Sequence, residues 1–389
     1  MGTGKSALSV KLVFFNDTVF KYALGNSSAV GGAERQQWLL ARALAANGWS
    51  VRVGISEGMT RGQHEVIDQV HFTGIGHGPG HVMCAWARFL AAQRPQWWYW
   101  RCANHLLGPA VAMARAQNVR TIFATALDPD VDPRRALYHR SRWWPLYAWG
   151  LSWADKIFVQ HTGQLNAVAL KWRSKSYIVP SLAGETQGGA SHLDRGKFVA
   201  WVAVLRQPKR PDLLIEIARK APDIDFVVCG GTTTFMSPPG YGERIVKELR
   251  ALPNVNYLGP VSPEKAQEVI AQAAVLLSTS DEEGFPNTFL QAWSSGTPVV
   301  SFKVNPDNVI NEKRLGRISG SVDRAIVDIK ALVDSPQTRE KMGERARRHV
   351  KEVHSEASIV KLFERATQNT RARKKKFLYS LFSNARPEQ

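Results

Sequence analysis

The sequence predicts an α/β protein of two doubly wound, Rossmann-like domains that face each other across a central cleft. Three observations predict it. Short apolar runs of strand length alternate with stretches of helical spacing along most of the chain, as in a parallel sheet with helices on both faces. The alternation lapses once, around Leu182–Arg195, into Gly, Ser, Thr and charge (Ala183-Gly184-Glu185-Thr186-Gln187-Gly188-Gly189), and then resumes. The length, 389 residues of which 44% are hydrophobic, exceeds one compact core and suits two.

In chain order, Lys11–Phe15 reads as a first buried strand. A loop of small residues, Gly25-Asn26-Ser27-Ser28-Ala29-Val30-Gly31-Gly32, leads to a helix over Ala33–Ala46. Its apolar stripe is Trp38, Leu39, Ala43 and Leu44, and Asn47-Gly48 stops it. Further strands fit Ser50–Gly54, Trp97–Trp100, Thr121–Ala124, Lys156–Val159 and Ser176–Val179. Helices fit His81–Ala92, Leu106–Ala116, Leu137–Trp153 and Gln164–Trp172. After the linker, strands fit Phe198–Leu205, Asp225–Cys229, Val255–Leu258, Ala274–Ser278 and Pro298–Phe302. Helices lie between them at Pro211–Lys220, Tyr241–Ala251 and Pro263–Ala271. Three more close the chain at Asp323–Val333, Pro336–Glu352 and Glu356–Thr370. The expected division is 1–190, 191–360, and a terminal helix with a basic, aromatic tail over 361–389.

Bulk properties narrow the function. No run of about 18 apolar residues is present, so no membrane-spanning helix is expected. The start, Met1-Gly2-Thr3-Gly4-Lys5-Ser6-Ala7, lacks signal-peptide layout and fits only a loose myristoylation pattern. Cys84, Cys102 and Cys229 form neither a metal-ligand spacing nor an even disulfide set, which suits a reducing cytoplasm. The net charge of +18 attracts anions: nucleic acid, acidic lipid or a phosphorylated substrate. Of thirteen tryptophans, six cluster at Trp97-Trp98-Tyr99-Trp100 and within Arg142–Trp149. The first cluster reads as core. The second, tryptophan beside arginine, favours a membrane interface.

The chemistry concentrates in Glu283-Gly284-Phe285-Pro286-Asn287-Thr288-Phe289-Leu290-Gln291-Ala292-Trp293. This segment follows a buried-strand run and leads through Gly296-Thr297-Pro298 into another. An acid at a strand exit, a dense turn, a short helix and a polar residue eight positions on can hold a sugar and a ribose at once. Ligands of open α/β sheets lie beyond the carboxyl ends of strands, over helix N-termini.

These residues resemble the family 4 retaining glycosyltransferases, of the two-Rossmann GT-B fold. The resemblance runs from the first strand to the helix ending near Thr370. It implies transfer of a sugar from a nucleoside-diphosphate sugar, with retention at the anomeric carbon and without a metal or other cofactor. It implies that Glu283 is the first acid of the family's signature and contacts donor sugar hydroxyls. Gln291 takes the place of the second acid, which grips the ribose; the amide loses the charge assistance of a carboxylate. Peptide N–H groups near Phe285, Asn287 and Thr288, in the turn shaped by Pro286, would face sugar or phosphate. Lys209 resembles the lysine on the donor diphosphate. The family's arginine five residues earlier is absent, where the chain reads Ala203-Val204-Leu205, and Arg206 substitutes. Fixed cations there would stabilise the departing diphosphate. Gly31 and Gly32 resemble the glycine-rich loop of the first domain, which lets backbone approach phosphate or acceptor. Gly231, in Gly230-Gly231-Thr232, resembles a loop near the nucleotide. Leu258, in Tyr257-Leu258-Gly259-Pro260-Val261, resembles the stretch whose backbone holds the base.

Weaker signals stand beside these. Asp128-Pro129-Asp130-Val131-Asp132 reads as an acceptor-side loop or an ordinary turn, and lacks the layout of a calcium loop. Arg101 and His105 follow the Trp-rich strand, and His105 is a cleft-histidine candidate. His161 and Gln164 resemble a cleft-lining loop or begin a helix. Gly2-Thr3-Gly4-Lys5-Ser6 imitates the end of a P-loop without its preceding strand. The tail, Arg371–Phe382, joins five cations to apolar groups and suits peripheral attachment to an anionic membrane face. The expected enzyme is therefore a cytoplasmic hexosyltransferase-type glycosyltransferase, peripheral on the inner membrane face. Its partners are a nucleotide sugar and a glycan or lipid-linked acceptor of cell-surface polysaccharide type, with no nucleic acid. The alternatives are a nucleotide-sugar epimerase on the same fold and a catalytically weak sugar-nucleotide-binding subunit, the latter suggested by Gln291. A nucleic-acid binder rests on charge alone.

Overall fold

The computed structural model describes residues 11–25, 31–76, 82–136, 141–184 and 191–368. The tail at 371–382, the Gly2–Ser6 segment, residues 26–30 of the glycine-rich loop and residues 185–190 of the linker lie outside the described residues.

The first domain is an eight-stranded sheet of β1 (Lys11–Phe15), β2 (Ser50–Ile55), β3 (His64–Ile67), β4 (Val70–Gly74), β5 (Trp97–Arg101), β6 (Arg120–Ala124), β7 (Lys156–Val159) and β8 (Ser176–Ile178), in the order β3-β4-β2-β1-β5-β6-β7-β8. All neighbours are parallel except β3 on β4. The second is a six-stranded sheet of β9 (Val199–Val202), β10 (Phe226–Cys229), β11 (Val255–Gly259), β12 (Val275–Ser278), β13 (Val299–Ser301) and β14 (Gly316–Ile318), ordered β11-β10-β9-β12-β13-β14 and parallel throughout. In each sheet the strand order reverses beside its first strand, and a doubly wound sheet binds ligand at that reversal.

Burial explains the strands. Leu12, Val13 and Phe14 of β1 are buried, as are Val275, Leu276 and Leu277 of β12, as expected for strands covered on both faces. Trp97, Trp98 and Tyr99 are also buried, so the first tryptophan cluster is core. The second is divided. Tyr147 is fully buried, whereas Trp143 and Trp144 are 40% and 37% exposed.

The structure departs from the sequence reading in identifiable places. The β3–β4 hairpin was not expected, because His64-Glu65-Val66-Ile67 is an exposed edge strand with little apolar signal. The helix expected over Leu137–Trp153 begins at Trp144, which puts Pro145 in its first turn, where a missing N–H costs nothing. The one expected over Gln164–Trp172 is two, Thr162–Ala167 and Leu170–Arg173, broken at Val168 and Ala169, which are extended. Val168 and Trp172 are thereby both buried in one cluster. Finally, the helix Glu356–Gln368 returns to the first domain. Its Ile359, Val360, Phe363 and Ala366 lie in the core that contains β1, β2 and β5 side chains. Ile359 and Val360, counted with the second domain in the 191–360 division, therefore pack on the first.

Candidate functional site

The carboxyl edges of both sheets meet at the Glu283–Asn287 turn. β12 ends at Ser278 and the chain runs through Thr279–Pro286 into the helix Asn287–Ser295. The loop leaving β9 is fastened to it. The Thr279 hydroxyl donates to Lys209 O (2.7 Å) and accepts from Trp201 Nε1 (2.9 Å), and Asp281 N donates to Pro208 O (3.0 Å). This fastening brings Lys209 Nζ onto Glu283 Oε1 in a charge-assisted hydrogen bond, both side chains being largely buried. Two residues 74 positions apart, picked out in sequence as a sugar-orienting acid and a phosphate-binding lysine, are thus direct partners.

Arg206 lies on the same loop. Its guanidinium sits 5.8 Å from the Phe235 ring centroid, and its Nε is buried without a partner. It lines a cavity of about 550 Å³ at the rim of the cleft. Arg210, the next cation, is in the left-handed region (φ 51°) where the loop turns into the helix Pro211–Lys220. It is held by Asp212 at 3.0 and 2.8 Å and by Asp281 at 3.4 Å, bonds that push its pKa further up.

The first domain approaches as the sequence indicated at one point and not at others. Gly32 opens the helix Gly32–Ala46, and its carbonyl accepts from Asn287 Nδ2 at 2.8 Å. A Cβ on Gly32 would lie 2.6 Å from that same nitrogen, so glycine permits the contact. Gly31 precedes the helix, with the Glu34 carboxylate folded over it so closely that a Cβ would collide. Gln36, which the sequence reading did not single out, donates from Nε2 to Asn287 Oδ1 and to Leu182 O, both at 2.7 Å. Gln160 Oε1 accepts the Phe285 N–H at 3.1 Å. Of the three amides expected to face sugar or phosphate, that of Phe285 is therefore taken by the first domain in this closed arrangement. The Phe285 ring packs on Trp293 and His354. Pro286 is buried and precedes the helix without a side-chain cap, leaving its first turn to the backbone at Asn287 and Thr288.

Gln291 lies one turn beyond Asn287 and is half-buried; its carbonyl accepts from Gln267 Nε2 at 3.2 Å. Gly231 and Leu258 stand at the carboxyl edge of β10 and β11. Gly231 O accepts from Leu205 N at 2.8 Å, and Leu258, within β11, is 37% exposed.

The weaker candidates have local duties. Asp130 accepts from Ala126 N (2.6 Å) and Leu127 N (3.1 Å), and burial raises its carboxyl from 3.8 to about 6. Asp128 binds His161 Nε2 at 3.0 Å and Gln164 Nε2 at 2.9 Å, while Asp132 accepts from Arg134 N at 3.0 Å. The three carboxylates do not converge, and among the described residues no cluster suits a metal ion. His161 caps the helix Thr162–Ala167 and also faces Asp307 of the second domain at 3.5 Å. His105 stacks near Trp143, with ring centroids 6.2 Å apart. Arg101 donates to Tyr99 Oη at 3.2 Å. Asp307 was invisible in the sequence. It accepts from Thr162 N (2.8 Å) and Gly163 N (2.9 Å) across the cleft, as does Arg135 Nη2 reach Glu282 at 3.3 Å.

Residues 187–349 match the family model described as Glycosyl transferases group 1. The matched segment contains Arg206, Lys209, Gly231, Leu258 and the whole Glu283–Gln291 stretch. A D-inositol 3-phosphate glycosyltransferase of Corynebacterium diphtheriae is 29% identical over 162 residues, 39% of this chain and 38% of that one. The same enzyme of Mycolicibacterium smegmatis is 31% identical over 109 residues, 28% of this chain and 25% of that one. The chain thus spans well under half the length of these relatives. Among solved structures, sucrose-phosphate synthase from Thermosynechococcus elongatus superposes with a TM-score of 0.73 at 16% identity, covering 92% of this chain and 98% of that one. Anabaena HepE, solved in complex with UDP-glucose, gives 0.70 at 13% identity, covering 92% and 99%. The fold is GT-B: two Rossmann-like domains, with the matched segment in the second.

Proposed function

We propose that the protein is a retaining glycosyltransferase, of the family 4 type, that moves a sugar from a nucleoside-diphosphate sugar to a glycan or lipid-linked acceptor. The observation that carries this reading is the Lys209–Glu283 pair at the meeting of two strand exits, opposite Gly32. A cation and an acid held together there match the two needs of a sugar diphosphate. In the reaction the bond from the anomeric carbon to the phosphate oxygen breaks, and the electron pair leaves with the nucleoside diphosphate. An acceptor hydroxyl bonds to the same carbon on the same face, and its proton passes to the departing phosphate. Lys209 and Arg206 stabilise the charge gathering on that phosphate, which lets the chemistry run without a metal. Glu283, released from Lys209 as the lysine turns to phosphate, accepts hydrogen bonds from sugar hydroxyls and fixes the ring. Backbone at Asn287 and Thr288 presents a helix N-terminus to sugar or phosphate, and Gln291 reaches the ribose.

The test is a melting-temperature screen of nucleotide sugars, UDP-glucose first because HepE was crystallised with it, followed by turnover of the stabilising donor. Replacing Lys209→Ala should lower turnover by about 10²–10³-fold with the fold intact. Full activity in both Lys209→Ala and Glu283→Ala refutes this site. Gln291 favours a second reading, a subunit that binds sugar nucleotides without transferring sugar; stabilisation by donor with no turnover over any acceptor would establish it. Attachment to an anionic membrane face belongs to the same proposal, supported by the +18 charge and exposed Trp143 and Trp144. No helix among the described residues is long and apolar enough to cross a membrane. Equal pelleting with acidic liposomes by the full chain and one ending at Thr370 would remove the tail's part in it.

A further inference from the structure

Gln291 leaves the proposed donor site short of a charge: its amide accepts from a ribose hydroxyl with about half the strength of a carboxylate. A carboxylate stands on the neighbouring helix. The helix Pro263–Gln272 follows β11, and the helix Asn287–Ser295 follows β12. Both strands run the same way in one parallel sheet, so both helices start at its carboxyl edge and run in the same direction. Gln267 and Gln291 are each the fifth residue of their helix. Gln267 Nε2 donates to Gln291 O at 3.2 Å and to Ser295 Oγ at 2.8 Å, which fixes the two helices side by side at that level.

Glu264 precedes Gln267 by three positions, so it shares the face turned to the Gln291 helix and lies one turn nearer the carboxyl edge. Helical side chains lean toward the start of their helix. Those of Glu264 and Gln291 therefore lean toward the same mouth between the two helices. The short connection Pro260-Val261-Ser262 leads to that mouth from the end of β11, where Leu258 is the base-side candidate. Glu264 is exposed, and among the described residues it makes no hydrogen bond or ion pair. The other acid of its helix, Glu268, is held by Lys265 at 2.9 Å. Tyr22 of the first domain lies within its field. Burial raises the Tyr22 phenol, the Arg35 guanidinium offsets part of the rise, and the Glu264 carboxylate adds to it. The free carboxylate thus stands at the boundary between the domains.

We propose that Glu264 is a specificity-determining residue for the donor: its carboxylate accepts a hydrogen bond from one ribose hydroxyl while Gln291 accepts from the other, so the charged acceptor missing at position 291 comes from the adjacent helix. The inference rests on the transferase reading and deepens its donor site. An ionised carboxylate only accepts, so it pairs with a hydroxyl and gains nothing from a C–H in its place. Because Glu264 is exposed, water can replace a missing hydroxyl, and the discrimination is about tenfold, below the factors reached in a dry site.

The experiment uses the full chain with UDP, ADP and GDP, each beside its 2′-deoxy and 3′-deoxy counterparts, and reads dissociation constants by calorimetry. The unaltered chain should bind at least one of the three, and should lose about tenfold in affinity when one of the two hydroxyls is removed. In Glu264→Gln that loss should shrink to about threefold, the worth of a neutral hydrogen bond. In Glu268→Gln, which removes the same charge one turn further along the helix, it should stay at about tenfold. The ratio within one variant cancels any general change in folding or in repulsion of the diphosphate. An undiminished loss in Glu264→Gln, no loss for either deoxy form in the unaltered chain, or an equal shrinkage in Glu268→Gln overturns the inference and leaves the transferase reading standing. Failure of all three nucleotides to bind the unaltered chain overturns the transferase reading, and this inference with it.

Discussion

At the residue scale, two side chains make sharp predictions. Gln291 is half-buried on the helix that begins at Asn287, one turn from the Gly32 contact. If it holds the ribose, Gln291→Glu restores a charged acceptor, and hydrogen bonds to an ionised partner are about twice as strong. Donor affinity by calorimetry should rise by about three- to tenfold, with the melting temperature of the free protein little changed; a weaker donor interaction would show that the ribose is held elsewhere. Asp130 makes a prediction about stability. Burial raises its carboxyl from 3.8 to about 6. Folding therefore favours the protonated form, and the associated stability is full below about pH 4 and lost as pH rises through about 6. The shift of about two units corresponds to about 3 kcal/mol. Asp130→Asn keeps an acceptor for Ala126 N and Leu127 N, and should flatten the wild-type decline in urea-unfolding free energy between pH 4 and 6.5 by about that amount. What was legible at this scale followed from local chemistry. Glu283 stands out because an acid sits at a strand exit beside a dense turn, and Lys209 because its segment resembles the family's diphosphate-binding loop. Gln36 and Gln160 did not stand out, since a glutamine on a helix or after a strand carries no pattern of its own.

At the element scale, the sheets were legible because buried parallel strands are continuous apolar runs, as in Val275-Leu276-Leu277 and Ile157-Phe158-Val159. Elements without that signal were missed. His64–Ile67 is an exposed edge strand, and Gly316–Ile318 has three residues and no apolar run. Helix ends were harder still, because they are set by side chains from elsewhere. The helix Trp144–Trp153 has no basic residue in its last turn. Lys175, in the turn just before β8, supplies the charge instead: its Nζ donates to Leu151 O (2.6 Å), Ser152 O (2.7 Å) and Ala154 O (2.7 Å). Three orphan carbonyls and the negative end of a helix are satisfied by one ammonium. Lys175→Met keeps the aliphatic stem and removes the donors. It should destabilise the chain by about 2 kcal/mol in urea unfolding, with turnover of any donor retained. A change within a few tenths of a kcal/mol would mean that water replaces the ammonium.

At the scale of the whole molecule, the contacts that join the domains were almost entirely hidden from the sequence. Asn287 and Gly32 are 255 positions apart, and Thr162 and Asp307 are 145, so no local period records them. Among the described residues these contacts include polar ones: Asn287 with Gly32 and Gln36, Gln160 with Phe285 N, Arg135 with Glu282, and Asp307 with His161 and the start of the helix Thr162–Ala167. Interfaces of this kind open readily, which the proposed transfer between two substrates would require for entry and release. Asp307 brings a carboxylate to this set and adopts a left-handed conformation (φ 49°). Burial alone would raise its carboxyl, but the Thr162 and Gly163 N–H groups outweigh that and lower it below its ordinary 3.8. A carboxylate lowered by a contact that exists only in the closed form stabilises closure above its ordinary range, and the effect is lost as pH falls through its closed-state value. Asp307→Ala should therefore shift the chain toward open forms at pH 7, seen as a larger radius of gyration by small-angle scattering. Donor stabilisation should survive, because the residues proposed to hold the diphosphate and ribose all lie in the second domain. Transfer to an acceptor should fall by about tenfold, the equivalent of one to two hydrogen bonds to a charged group. An unchanged radius together with unchanged transfer would mean that Gln36, Gln160 and Asn287 hold the cleft shut without it.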